Sequence, residues 1–252
     1  MLKSGNKNQF GKADLHLHTN LTDGFFPPEK MVTAAVDTGL NLIAITDHDL
    51  IKPALIARRF AEKEKLPIEV IVGEEVTTKQ GELIGLFLKK RIPPLLDIFL
   101  TAEKIKKQGG LVIIPHPLRV IFGFGPSLKT IEKLTQAQLA DGIEIYNFWD
   151  YGFGLARARK KNNGHWRLAN IGSSDSHHYK TVGKIFTLFP GKTAEDLRKA
   201  IESQTTKPQK PSLVFIKRKE ELRHLLLRLR HPCSNRRPTK VSFKTRLLHM
   251  LK

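Results

Sequence analysis

The chain of 252 residues contains one cysteine, Cys233. It can form no internal disulfide, which agrees with a reducing compartment. It also lacks any apolar run near the ~18–20 residues of a membrane span, and its opening, Met1 to Lys7, has no apolar core of a signal peptide. A cytoplasmic protein with no transmembrane segment is the expectation. Internal repeats are missing too, which removes solenoid architectures. Acidic residues are scarce: 24 Asp and Glu stand against 43 Lys and Arg, a formal charge of +19. Residues 207–252 hold 14 of the Lys and Arg against only Glu220 and Glu221, so this short segment carries +12 and residues 1–206 carry +7. Such an excess points to an anionic partner, nucleic acid or an acidic membrane surface, with a solvated basic extension as the plain alternative.

What is present is ordinary in bulk. A hydrophobic fraction of 40% suits a globular protein, and the length suits one large α/β domain with a short appendage. Residues 1–12 read as a flexible basic arm, 13–206 as the main domain and 207–252 as a basic C-terminal extension. In that extension Leu222, Leu225, Leu226 and Leu229 recur at helical spacing beside Arg223, Arg228 and Arg230. After Pro238, Phe243, Leu247, Leu248 and Leu251 repeat the pattern. Each stripe fits a helix covering the main domain, an arm gripping nucleic acid, or a helix lying on an anionic membrane.

Short apolar runs alternate with helical patterns along the main domain. Helices are expected over 28–38, 53–65, 95–108, 128–139 and 155–162, with a last one opened by Thr193 and Asp196 as a capping box. Strands are expected at the opening, 41–46, 68–73, 81–88, 111–114, 142–147, 168–172 and 184–189. Many of the apolar runs end in a polar cluster: Asp14-Leu15-His16-Leu17-His18, Asp47-His48-Asp49, Glu74-Glu75, His116 between two prolines, and Ser173 to His178. Strand alternation turns His16 and His18 to the same side, as two ligands of one ion require. Repeated strand–cluster–helix units favour a closed or nearly closed barrel whose strand ends meet at one rim. Six of the ten histidines lie in these clusters beside Asp23, Glu75 and Asp175. Imidazole with carboxylate suits Zn, Mn or Fe.

The motifs Asp14 to Thr19 with Asp23-Gly24, Thr46 to Asp49, Gly73-Glu74-Glu75-Val76, Pro115-His116-Pro117 and Gly172 to His177 together resemble the PHP (polymerase and histidinol phosphatase) domain over about residues 13–190. The resemblance implies a distorted (β/α)7 TIM-like barrel with two or three divalent metal ions on its rim. His16, His18 and Asp175 would bind one ion, Glu75 would bridge it to a second held by His116, and Asp23, His48 and His177 would hold a third. Glu82 stands where many members carry another histidine. It would either ligate the second ion as an oxygen donor, favouring Mn or Fe over Zn, or point elsewhere and leave that ion weakly held. Glu74, next to the bridging Glu75, should face away from it.

The activity implied is hydrolysis of a phosphate ester by a metal-activated hydroxide. The substrate would be a nucleotide or an oligonucleotide end, given the positive charge. A histidinol-phosphatase-like enzyme for small monoesters and a non-catalytic module that binds nucleic acid or a polymerase are the alternatives. Arg119 is a candidate for gripping the phosphate, or an ordinary surface arginine. His178 is a candidate to protonate the leaving oxygen, or a solvent-facing neighbour of a ligand. Asp47 and Asp49 should orient His48 and its turn, while Glu144 and Asn147 should support the ligands or touch substrate.

Overall fold

The computed structural model describes residues 10–118, 125–148 and 153–209. Its strands are β1 (Phe10–Leu17), β2 (Leu42–Ile45), β3 (Glu69–Thr78), β4 (Gly81–Leu86), β5 (Leu111–Ile114), β6 (Gly142–Asn147), β7 (Ala169–Ser173), β8 (Thr187–Pro190) and β9 (Lys207–Pro208). The helices between them are α1 (Pro28–Asp37), α2 (Lys52–Lys63), α3 (Ile98–Lys107), α4 (Leu128–Gln136), α5 (Phe153–Lys161) and α6 (Ala194–Glu202). No described helix is long and apolar enough to cross a membrane.

Local chemistry explains most of these boundaries. Pro28 opens α1, where a missing N–H costs nothing. Ser127 caps α4 by accepting from Thr130 N, and Thr193 and Asp196 cap α6 reciprocally as expected. The third helix starts later than its apolar spacing suggests. Leu95 has φ +61° and donates its N–H to Thr77 O at 2.7 Å, so the chain there lies along β3, and Asp97 caps α3 by accepting from Phe99 N.

The sheet runs β7-β6-β5-β4-β3-β2-β1-β8-β9. Strands β1, β2 and β3 are parallel to one another, as are β5, β6 and β7, but β4 is antiparallel to both β3 and β5. A tight turn at Lys79-Gln80 joins β3 to β4, and Gly81 takes φ +119° there, where an added Cβ would lie 2.7 Å from Pro126 N. This reversal departs from a simple β/α repeat and has a use. The first residues of β4 lie opposite the last residues of β3, with Glu82 across from Thr77, so β4 presents its beginning at the rim where the parallel strands end.

At the rim, β1 and the segment after β7 join directly: His18 N donates to Ser176 O at 2.9 Å and Ser176 N to His16 O at 3.2 Å. Away from the rim β8 pairs antiparallel with β1, and Thr187 Oγ1 both accepts from Gly172 N and donates to Gly172 O. Seven strands thus form a nearly closed barrel with β8 and β9 completing one seam. Two domain boundaries shift accordingly. Phe10 to Lys12, expected in the arm, pair with β8, and Lys207–Pro208, expected in the extension, pair with it from the other side. The remainder of the arm, residues 1–9, and of the basic extension, 210–252, lies outside the described residues.

Strand side chains alternate between two apolar clusters. Leu15, Leu42, Ala44, Ile71, Ile84, Ile113 and Ile171 fill the barrel interior with one face of α6. Ile43, Ile45, Val70, Val72, Val112 and Ile143 face outward to the apolar stripes of the helices.

Candidate metal centre

Strict alternation along β1 would place His16 and His18 on the face opposite Leu15, outside the barrel. The register with β2 slips between Asp14 and Leu17, and this bulge changes the parity: Leu15 belongs to the interior cluster and Leu17 to the outer one. Both histidines therefore turn into the rim, fully buried, with their Nε2 atoms 3.0 Å apart. A second register slip in β6, between Glu144 and Tyr146, lets Glu144 and Asn147 both face the same site.

Glu75 lies at the middle of the cluster. Its Oε2 is 3.3 Å from His16 Nε2, 3.2 Å from His18 Nε2 and 3.3 Å from His48 Nδ1, while its Oε1 is 3.0 Å from His116 Nε2. Asp175 Oδ1 is 3.4 Å from both His16 Nε2 and His18 Nε2. Glu82 turns inward as well, 3.5 Å from His48 Nδ1 and 3.9 Å from His116 Nε2. Asp23 reaches in from the loop after β1, with His18 Nδ1 at 3.4 Å, His48 Nε2 at 3.5 Å and His177 Nε2 at 3.1 Å. That loop folds tightly over its own strand: a Cβ at Gly24 would lie 2.6 Å from His18 O, which is why glycine follows Asp23. His116 and Asp175 hold positive φ values of 24° and 49°, strained for non-glycine residues and concentrated here at the strand ends.

These donors fit divalent ions. Roughly 3.3–3.4 Å separates the donors around a tetrahedral ion with ~2.0–2.1 Å bonds, and the spacings among His16, His18, Glu75 and Asp175 run from 3.0 to 3.4 Å. His48 Nδ1 makes no hydrogen bond among the described residues although two carboxylates lie within 3.5 Å. Atoms aimed at a common point rather than at each other produce that arrangement. Four donor triads recur in the cluster: His16, His18 and Asp175; His16, Glu75 and His116; His18, Asp23 and His48; His48, Glu75 and Glu82.

A surrounding layer of hydrogen bonds aims the donors. Glu144 Oε1 takes the His16 Nδ1 proton at 2.9 Å and the Ser173 hydroxyl at 2.6 Å, and Oε2 accepts from His116 N at 2.7 Å and Asn147 Nδ2 at 2.9 Å. With Nδ1 donating, His16 keeps Nε2 for the cluster. Asp47 Oδ1 ties down the loop that carries Asp23, accepting from Thr19 N, Thr19 Oγ1 and Thr22 Oγ1. Asp49 braces β3 through Thr77 N at 2.7 Å. Asp14 accepts from Ser174 N and Gly183 N, and burial pushes its carboxyl up to about 6.

The site draws positive charge. Burial favours the neutral form of each group, yet for most of them the partners outweigh it. His18 rises to about 10 because Asp23, Asp175 and Glu75 surround it. His16 is raised by Asp175, Glu75 and Glu144, and Glu75, beside His16 and His48, is held well below the usual carboxylate range. His177 is the exception, lowered by burial and by the charge of His18.

All nine residues expected as ligands, His16, His18, Asp23, His48, Glu75, Glu82, His116, Asp175 and His177, thus meet at one rim. Glu74 faces away, as alternation requires. Its Oε2 accepts from Ile92 N at 2.9 Å, and burial raises its carboxyl to about 8. His178 stands apart from the donor triads: its ring packs on Phe26 and Tyr179 and its Nδ1 accepts from Lys180 N. Arg119 lies outside the described residues. Sequence reasoning missed the work of Ser173, Thr19 and Thr22, for which small hydroxyl residues beside the motifs were the only signal.

Comparison with known proteins agrees with this geometry. The profile of the PHP domain matches residues 14–204. An uncharacterized protein of Methanocaldococcus jannaschii is 37% identical over 148 residues, 54% of this chain and 81% of that protein. A 5'-3' exoribonuclease of Salmonella typhimurium is 32% identical over 99 residues, 38% of this chain and only 33% of the exoribonuclease. Among solved structures, a two-domain Bacteroides vulgatus protein containing a predicted PHP-like metal-dependent phosphoesterase superposes with TM-score 0.70 at 23% identity, over 83% of this chain and 67% of that one.

Proposed function

Because this chain belongs to the PHP family, we propose that it is a metal-dependent phosphoesterase that hydrolyses a phosphate ester of a nucleotide or of an oligonucleotide end. The observation that carries the proposal is Glu75, whose two oxygens face different histidines: Oε2 meets His16, His18 and His48, and Oε1 meets His116. A carboxylate so placed suits ions about 3.5–4 Å apart, the spacing of two-metal hydrolases. His16, His18, Glu75 and Asp175 hold one ion, Glu75, Glu82 and His116 a second, and Asp23, His48 and His177 a third. The carboxylate at Glu82 favours Mn or Fe over Zn for the second ion.

The chemistry that divalent cations supply when bound here is a hydroxide nucleophile at neutral pH and neutralisation of charge on the phosphoryl oxygens. The protein's own part is placement. Glu144 fixes the tautomer of His16, Asp47 holds the Asp23 loop, and the bulge in β1 turns both histidines inward. The charge of +19 supports an anionic substrate, and the similarity to an exoribonuclease supports nucleic acid. The single cysteine supports a cytoplasmic location.

The test is release of phosphate or nucleotide by the purified protein with Mn from a panel of nucleotides, small phosphate monoesters and short RNAs. Turnover of nucleotides or RNA that His16→Ala abolishes is the expected result. Turnover of small monoesters alone would support a histidinol-phosphatase-like enzyme instead, and none with Mn, Zn or Fe a binding module. Removal of residues 210–252 should weaken RNA binding and flatten its salt dependence, because fewer counterions are released. Unchanged binding to RNA would remove the extension from the proposal.

A further inference from the structure

We propose that a nucleobase of the substrate stacks on an aromatic platform beside the metal centre, formed by Phe25 with Phe26, His178 and Tyr179. The inference deepens the nucleic-acid reading above and rests on it. Among the described residues four large hydrophobic side chains are exposed, and two of them, Leu21 (42%) and Phe25 (36%), sit on the loop that carries Asp23. The loop is pinned to the rim: Phe25 N donates to His177 O at 2.9 Å, and Asn20 N to Phe26 O at 2.9 Å. An exposed ring two residues from one candidate ligand, on backbone bonded to another, is therefore held in place next to the phosphate site.

Behind Phe25 the other rings form a backing. His178 stacks on Tyr179 with centroids 4.7 Å apart and planes at 27°. Phe26 meets both edge-on, at 4.7 and 4.8 Å, and the Phe25 ring is 6.3 Å from His178. Phe26 and Tyr179 also pack against the outer core, which makes the backing rigid, while Phe25 offers its ring to solvent. Lys30 Nζ lies 4.8 Å over Tyr179, and Lys30 and Lys180 are both exposed. Rings flanked by lysines beside a phosphoester centre match a base and its neighbouring phosphates. Every nucleobase has a π-face, so the platform selects nucleotides without selecting sequence. A small phosphate monoester without a base gains nothing from it.

The test is fluorescence anisotropy on the full chain with Mn, using a 5'-phosphorylated RNA hexamer with phosphorothioate linkages and the same hexamer abasic at its first residue. Wild type should bind the abasic hexamer about 10-fold more weakly. Phe25→Ala should lose about 10-fold for the intact hexamer and little further for the abasic one, and Phe25→Trp should restore the difference. Equal weakening of both hexamers, no effect of Phe25→Ala, or no hexamer binding would overturn the platform. Hydrolysis of glycerol phosphate, measured on the same protein, separates the two ideas. Base-dependent binding without hydrolysis of any substrate would sink the phosphoesterase and leave the platform, whereas hydrolysis without base dependence would do the reverse.

Discussion

Glu144 shows how much of the centre depends on residues that hold no ion. It is fully buried and accepts from His16, His116, Asn147 and Ser173, so it fixes one ligand ring and the backbone of another. Glu144→Gln should keep the fold yet lower metal affinity about 10- to 100-fold, read by titrating the stripped protein with Mn. An unchanged affinity would show that the rings are aimed by packing alone. Glu82 tests a different property. Its carboxylate lies among His48, Glu75 and His116, and Glu82→His should shift the metal taken up from an equimolar Mn and Zn mixture towards Zn.

At the scale of elements, the bulge in β1, the bulge in β6 and the reversal of β4 do the positioning, since each changes which side chains reach the rim. The helices serve mainly to cover the outer face, and their stability is set by local chemistry. In α6, Asp196 accepts from Lys192 N and Thr193 N, and these bonds hold its carboxyl below the usual range. A depressed value means stabilisation that is present above the unfolded value of 3.8 and lost as pH falls through the folded one. Asp196→Ala should therefore lower Tm at pH 7, with the gap from wild type closing as the pH drops below 3.8. A gap independent of pH would assign the effect to helix propensity instead.

For the whole molecule, the rim cluster couples folding to metal. Ions that bind only the folded chain stabilise it by about 2.7 kcal/mol at a hundred times their Kd, so a chelator should lower Tm and added Mn should restore it. The stripped protein should also respond to pH in a defined direction. His18 is raised to about 10 by its carboxylate neighbours despite burial. A raised histidine contributes stability that is complete below its unfolded value of 6.5 and lost as pH rises towards 10. Thermal melts of the chelated protein should fall across that window and those of the Mn-loaded protein should fall less, because bound ions favour the deprotonated rings. Parallel curves would place the metal away from these residues.

The alternation of apolar runs with helical segments, the ends of most helices and the nine candidate ligands were legible in the sequence, because periodicity, caps and short motifs are local properties of the chain. Tertiary structure alone decided that β4 runs backwards, that two bulges change which faces look inward, and that Phe10 to Lys12 belong to the sheet, since each depends on which strand lies alongside. The role of Glu82 was decided the same way. Its sequence neighbours allowed it to point in or out, and only pairing of β4 with the end of β3 brings its carboxylate to His48 and His116.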